Sequence, residues 1–133
     1  MVYVFSNNVY EMMAKRNETR AVLKGINSEL NIRSIKEHKI GNKEFLMFDC
    51  SFLTAYLGDK KEVIAQVVVS EKIILGMEPK EKESIMKNWE KNKKLPKRLE
   101  DKVVYIIKVV GMYDIHLVTN KFSLPPPIKY DFS

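Results

Sequence analysis

Basic side chains are concentrated in two segments, and they are the residues whose types and spacing most directly suggest chemistry. Residues 15–24 contain four basic residues and one acidic residue, Glu18. The basic residues are Lys15, Arg16, Arg20 and Lys24. Lysine and arginine in such a cluster hold phosphate groups by charge and by counterion release. The alternative is an ordinary solvated surface with basic groups at the end of a helix.

The second basic segment spans residues 80–102, with nine basic and five acidic residues. Its basic residues crowd the second half, where Lys93, Lys94, Lys97 and Arg98 follow Trp89. An aromatic ring beside lysine and arginine can stack on a base while the cations contact the backbone. Alternatively, Trp89 docks a helix on the core, and the lysines form a general polyanion surface. Both segments agree with an overall excess of 23 basic over 17 acidic residues.

Other chemistries have little support in the sequence. There is no Gly-x-Ser-x-Gly, phosphate-loop or Gly-x-Gly-x-x-Gly motif, so common nucleophile and nucleotide-cofactor sites are not indicated. The single cysteine, Cys50, lies in an apolar run and is expected to be a buried, inert thiol. His38 and His116 are far apart in sequence. We therefore expect neither a metal site nor a cofactor.

Length and patterning bound the class of protein. A chain of 133 residues has the size of one domain. No continuous apolar stretch of about 18 residues is evident, and the first residues do not resemble a signal peptide. The expectation is one domain, without a membrane span, in the cytoplasm or in the host cytoplasm if viral. The abundance of lysine, asparagine and isoleucine suggests an AT-rich genome such as that of a virus or mobile element.

The elements that must position these residues can be predicted from the hydrophobic pattern. Residues 44–57, 62–69 and 103–110 are rich in β-branched and aromatic side chains, which predicts three strands of one curved sheet or barrel. A helix is predicted from Pro79 to about Lys93. Residues 2–5 and 19–24 are predicted to be short strands and residues 9–16 a short helix, whereas 25–43 remain unassigned. The prolines at 125–127 end regular structure or form a polyproline ligand. The fold class is therefore α+β, a small mixed, partly closed β-barrel with one or two flanking helices.

In its order of elements the chain resembles the PUA-like superfamily, particularly the ASCH and EVE-type domains. The likeness is carried by residues 12–20, 40–46, 65–69 and 104–109, the last followed by the proline-rich close. They are similar, respectively, to the family's basic turn, its glycine-led opening strand, a central barrel strand and the final strand.

This resemblance implies binding of RNA, modified bases or nucleotides in a cleft beside the barrel. Some ASCH members hydrolyse acylated pyrimidine nucleosides with a lysine, a threonine and a glutamate, which would correspond here to Lys15, Thr19 and Glu71. The first interpretation is therefore a binder of RNA, DNA or a modified nucleotide through the two basic segments. The alternatives are an amidohydrolase and a protein–protein interaction module, which an apolar surface patch would favour.

Overall fold

Four β-strands and two α-helices build the domain in the computed structural model, which describes residues 1–17 and 21–121. The strands are β1 (Tyr3–Arg16), β2 (Gly25–Ile40), β3 (Lys43–Leu57) and β4 (Val63–Gly76), and the helices are α1 (Pro79–Asn92) and α2 (Lys97–Lys121). The strands form one antiparallel sheet in the order β1-β4-β3-β2. The α+β class is confirmed.

The sheet is open in the described residues, so barrel closure is not confirmed. β1 and β2 lie at opposite edges and each pairs with one neighbour. β2, β3 and β4 form a meander of consecutive hairpins, whereas β1 adds to the far side of β4. The PUA-like assignment itself stays a prediction.

One face of the sheet, here called the inner face, is covered by the helices. Alternate side chains of β3 and β4 point to it and are fully buried, among them Leu46, Phe48, Ile73 and Leu75. This alternation is the two-residue period of a strand. α2 lies over β4 and β1, and α1 lies beside β2. The predicted strands at 44–57 and 62–69 are confirmed, and the second continues to Gly76.

Residues 103–110 are helical, so the prediction of a strand there is wrong. Their β-branched composition favours a strand, but their burial follows the helical period. Leu99, Val103 and Ile107 are buried at four-residue spacing, and Ile115 continues this face. Packing of one apolar stripe on the sheet therefore overrides local propensity.

The predicted short helix at residues 9–16 is also wrong, because this segment is part of β1. Its apolar residues have helix-like spacing, but β4 offers a hydrogen-bonding edge along the whole segment. In the predicted strand at 19–24, residues 21–24 have no strand structure, and 19 and 20 lie outside the described residues. The predicted helix from Pro79 is confirmed as α1.

Gly111 lets α2 approach the sheet closely. This buried glycine lies against the ring of Phe52 on β3, and a Cβ atom at position 111 would overlap that ring.

An ion pair joins α1 to the start of β3, where the nearly buried ammonium of Lys82 binds the carboxylate of Glu44. That contact holds the pKa of Glu44 below its usual range.

Candidate functional site

The first basic segment does not form one surface. Lys15 pairs with Gln66 and Arg16 with Ala65 near the end of β1, so the two side chains point to opposite faces of the sheet. Lys24 lies just before β2 at the other edge, where its backbone N–H donates to the carbonyl of Leu57 at 2.8 Å. Arg20 lies outside the described residues.

The second basic segment joins α1 to α2 on the β2 side of the sheet. Lys93, Lys94 and Lys97 lie together there, whereas Arg98 is exposed beside them without lining the same surface. Because β1 and β2 are opposite edges of a four-stranded sheet, three strand spacings, roughly 14 Å, separate Lys15 and Arg16 from β2, beside which this cluster lies. The structure thus divides the predicted nucleic-acid surface.

The residues of the predicted hydrolase are not brought together. Lys15 points to the outer face beside Gln66, whereas Glu71 pairs with Val9 and is buried on the inner face. Gln66, the partner of Lys15, precedes Glu71 by five residues on β4, which corresponds to roughly 17 Å along a strand. Thr19 lies outside the described residues. Lys15 and Glu71 therefore cannot share one reacting group.

A groove of about 650 Å³ runs between β2 and the helices, beside the predicted lysines. Its apolar residues come from β2, the end of α1, the α1–α2 connection and the first turns of α2. They are Leu30, Ile32, Trp89, Leu95 and Val104. Leu30 and Ile32 pair with Phe52 and Cys50, so they belong to the inner face of the sheet. The floor of the groove is thus the part of the inner face, at β2, that the helices do not cover.

The rim of the groove is strongly basic. Four lysines and one glutamate line it, together with the polar Ser28 and Asn31 of β2. The charged residues are Lys93, Lys94, Lys97, Lys108 and Glu100. The ammonium of Lys93 lies 5.8 Å from the centre of the Trp89 ring, within the range of a cation–π contact. Sequence reasoning flagged three of these lysines and Trp89 but missed the β2 residues.

Lys93 has a left-handed backbone at φ 55°, where it ends α1 and donates its backbone N–H to the carbonyl of Trp89. Side chains other than glycine are strained in this region. Replacing Lys93 with glycine is therefore expected to raise the free energy of unfolding by about 0.5–1 kcal/mol, measured by urea denaturation. Lys94→Gly is the control, because the adjacent position has no positive φ. A loss of stability in Lys93→Gly would contradict the expectation.

A buried carboxyl pair lies at the centre of the core, away from the groove. Glu71 of β4 is fully buried and Asp114 of α2 is nearly so. Burial, followed by hydrogen bonding and charge repulsion from Asp114, raises the pKa of Glu71 to about 8. The side-chain amide of Asn7 donates to Glu71 Oε1 at 3.4 Å. One oxygen of each carboxyl has no hydrogen-bond partner in residues 1–17 and 21–121.

Cys50 is the buried thiol that the sequence predicted. It is fully buried on the inner face beside Glu71, and burial raises its pKa to about 12. Thiolate chemistry is therefore suppressed at neutral pH. Among the described side chains, no three histidine, cysteine, aspartate or glutamate residues come together as a metal site.

The exposed face of α2 is apolar at four-residue spacing. This face comprises four exposed residues, Tyr105, Val109, Tyr113 and Leu117. By length and composition alone, residues 97–120 could cross a membrane, a test that core helices of water-soluble proteins also pass. The sequence expectation that the chain has no membrane span therefore stays a prediction.

No family model matches this chain. No curated protein matches it either. Among solved structures, the chain is similar to the Rv1957 SecB-like chaperone of Mycobacterium tuberculosis in complex with a ChAD peptide from the Rv1956 HigA1 antitoxin. The identity is 8% and the TM-score 0.44, over 94% of this chain and 86% of that one.

The interpretation of this chain as a nucleic-acid binder with RNA or DNA as partner is wrong. Within this chain, the physical reason is the division of the basic residues between two sheet edges and two faces. Lys93, Lys94 and Lys97 border an apolar groove instead of joining Lys15 and Arg16 in one phosphate-binding surface.

Proposed function

We propose that this domain is a protein-binding module that holds a segment of another polypeptide in the groove between β2 and the helices. The observation that carries the proposal is the groove itself, whose apolar floor lies beside an edge strand. Concave apolar surfaces with a few polar groups at the rim are the usual form of binding sites. Sheet edges and hydrophobic grooves are two recurring ways of holding a peptide.

Burial of apolar surface supports the proposal energetically, because folding leaves apolar side chains of the groove partly exposed to water. Leu30, Ile32 and Leu95 are half-buried, so an occupant can cover apolar area that the domain alone does not. Each square ångström of apolar surface removed from water contributes about 25 cal/mol. The rim lysines keep the empty groove hydrated and orient a partner of suitable charge.

The proposal is tested with a library of random twelve-residue peptides and the purified domain. Trp89 is the single tryptophan of the chain and lines the groove, so a change in its emission reports occupancy directly. We expect a subset of peptides to bind and to shift this emission. Leu30→Lys is expected to abolish the binding, because it places a charge on the apolar floor.

The matched control is Leu117→Lys, which makes the same substitution on the exposed face of α2, outside the groove. Circular dichroism verifies that both variants keep the fold. Binding that survives Leu30→Lys and is lost in Leu117→Lys would move the site to α2 and contradict the groove. An absence of any peptide binding would overturn the function.

A further inference from the structure

The part of β2 that lines the groove is suited to accept a further strand. Within the described residues β2 pairs with β3 only, so its other edge presents backbone donors and acceptors. The groove is lined by Leu30, Asn31 and Ile32, which are uncharged. Charged residues follow at Arg33 and Lys36. Charges on an edge strand discourage pairing with another chain. Along the groove, from Ser28 to Ile32, β2 has one charged residue, Glu29, which pairs with Leu53 and does not line the groove.

The charge of the groove selects the chemistry of its occupant. Four lysines face one glutamate, Glu100, around the rim. A basic segment would meet like charges, which repel it. An acidic segment would instead neutralise the rim. Charge complementarity therefore points to aspartate or glutamate in the partner.

The dimensions fit a short extended segment. The groove follows β2 from Ser28 to Ile32, which corresponds to roughly 14–17 Å of strand. In an added strand, alternate side chains would point to the inner face of the sheet. Aliphatic side chains at these positions would contact Leu30 and Ile32, and acidic side chains at either end would reach the lysines.

We propose that the groove takes an extended acidic segment with aliphatic residues at alternate positions, which adds a fifth strand to the free edge of β2. The inference rests on the proposed function and deepens it by naming the partner's chemistry and its mode of binding. Backbone hydrogen bonds to β2 supply general affinity. Leu30, Ile32 and the lysine rim supply selectivity.

Two synthetic peptides test the charge. One has the sequence Glu-Ser-Val-Ser-Leu-Ser-Glu, and the other has lysine in place of both glutamates. We expect the acidic peptide to bind at least roughly tenfold more tightly at low salt and to lose affinity as salt rises. Lys94→Glu combined with Lys97→Glu is expected to reverse the preference. Lys91→Glu combined with Lys102→Glu is the control, because these exposed lysines do not line the groove.

Backbone methylation of the acidic peptide tests the added strand. In a ladder, alternate amides of an edge strand point toward the neighbouring strand. Methylating one alternate set of peptide nitrogens is therefore expected to abolish binding, and methylating the other set to leave it largely unchanged. Equal loss from both sets, or no loss from either, would overturn the strand-addition mode.

The failures of the two proposals are distinguishable. If library peptides shift Trp89 emission but the acidic and lysine peptides bind equally, the groove binds polypeptides and the acidic selectivity is wrong. If library peptides bind and neither synthetic peptide does, the stated partner chemistry is likewise wrong. If no peptide of any composition binds, the proposed function itself fails.

Discussion

Replacing Glu71 with glutamine is expected to raise the free energy of unfolding at neutral pH. Glu71 is fully buried beside Asp114, and burial with that second carboxyl raises its pKa from 4.5 to about 8. The folded state therefore holds a proton that the unfolded chain releases at neutral pH. Glutamine keeps the shape of the neutral acid and cannot ionise, so the variant avoids this cost.

The direction of the pH dependence follows from the raised pKa. The folded state binds more protons than the unfolded state between pH 4.5 and about 8. Over this window the contribution of Glu71 to stability falls as pH rises, by at most about 1.4 kcal/mol per pH unit. The advantage of Glu71→Gln should grow through the same window and level off above it. Urea denaturation at half-unit pH steps measures both curves.

The control for Glu71→Gln is Glu90→Gln, the same change on the exposed surface of α1. Its stability is expected to follow that of the unmodified protein at every pH. If Glu71→Gln and the unmodified protein gave parallel curves from pH 5 to pH 8, the raised pKa of Glu71 would be wrong.

Replacing Gly111 with alanine is expected to destabilise the domain by about 1–3 kcal/mol, although alanine is the better helix former. Gly111 is buried in α2 against the ring of Phe52, and the added methyl group would overlap that ring. The two core elements must then separate or Phe52 must leave its rotamer. Thermal and urea unfolding both measure the loss.

A double-mutant cycle assigns the cause of this loss. Phe52→Leu removes the ring, so Gly111→Ala is expected to cost little in that background. Gly25→Ala is the control, because a methyl group there has no neighbour within 4 Å. An equal loss from Gly111→Ala with and without the Phe52 ring would contradict close approach as the reason.

Where local pattern and packing agree, the sequence predicts the element. β3 and β4 combine β-branched and aromatic residues with burial of alternate positions, and α1 begins at Pro79. β2 was missed because a bulge between Ile32 and Ser34 interrupts its alternation. The bulge adds one residue, so every later side chain faces the side opposite to the one that simple alternation along the sequence predicts. Leu30 and Ile32 therefore fall out of phase with Ile35.

The candidate site was predicted only in part for a related reason. Lys93, Lys94 and Lys97 are visible as a charge cluster, but charge alone does not identify a partner. The groove depends on Leu30 and Ile32 lying beside these lysines, which requires β2 at the edge of the sheet and the helices on its inner face. The hydrophobic periodicity of the sequence predicts single strands, but it does not determine which strands are neighbours in the sheet.

The strand order also constrains how the chain is made. β1 is synthesised first among the strands but pairs with β4, so residues 17–62 must follow before β4 begins to appear. The β2–β3 and β3–β4 hairpins form between sequence neighbours, whereas β1 can pair only after β4, which is distant in sequence, has been made. Its apolar side chains, including Phe5 and Met12, stay half exposed even in the finished sheet. On the ribosome, β1 therefore exposes its apolar side chains and an unpaired edge until β4 has been made, and this favours association with other nascent chains.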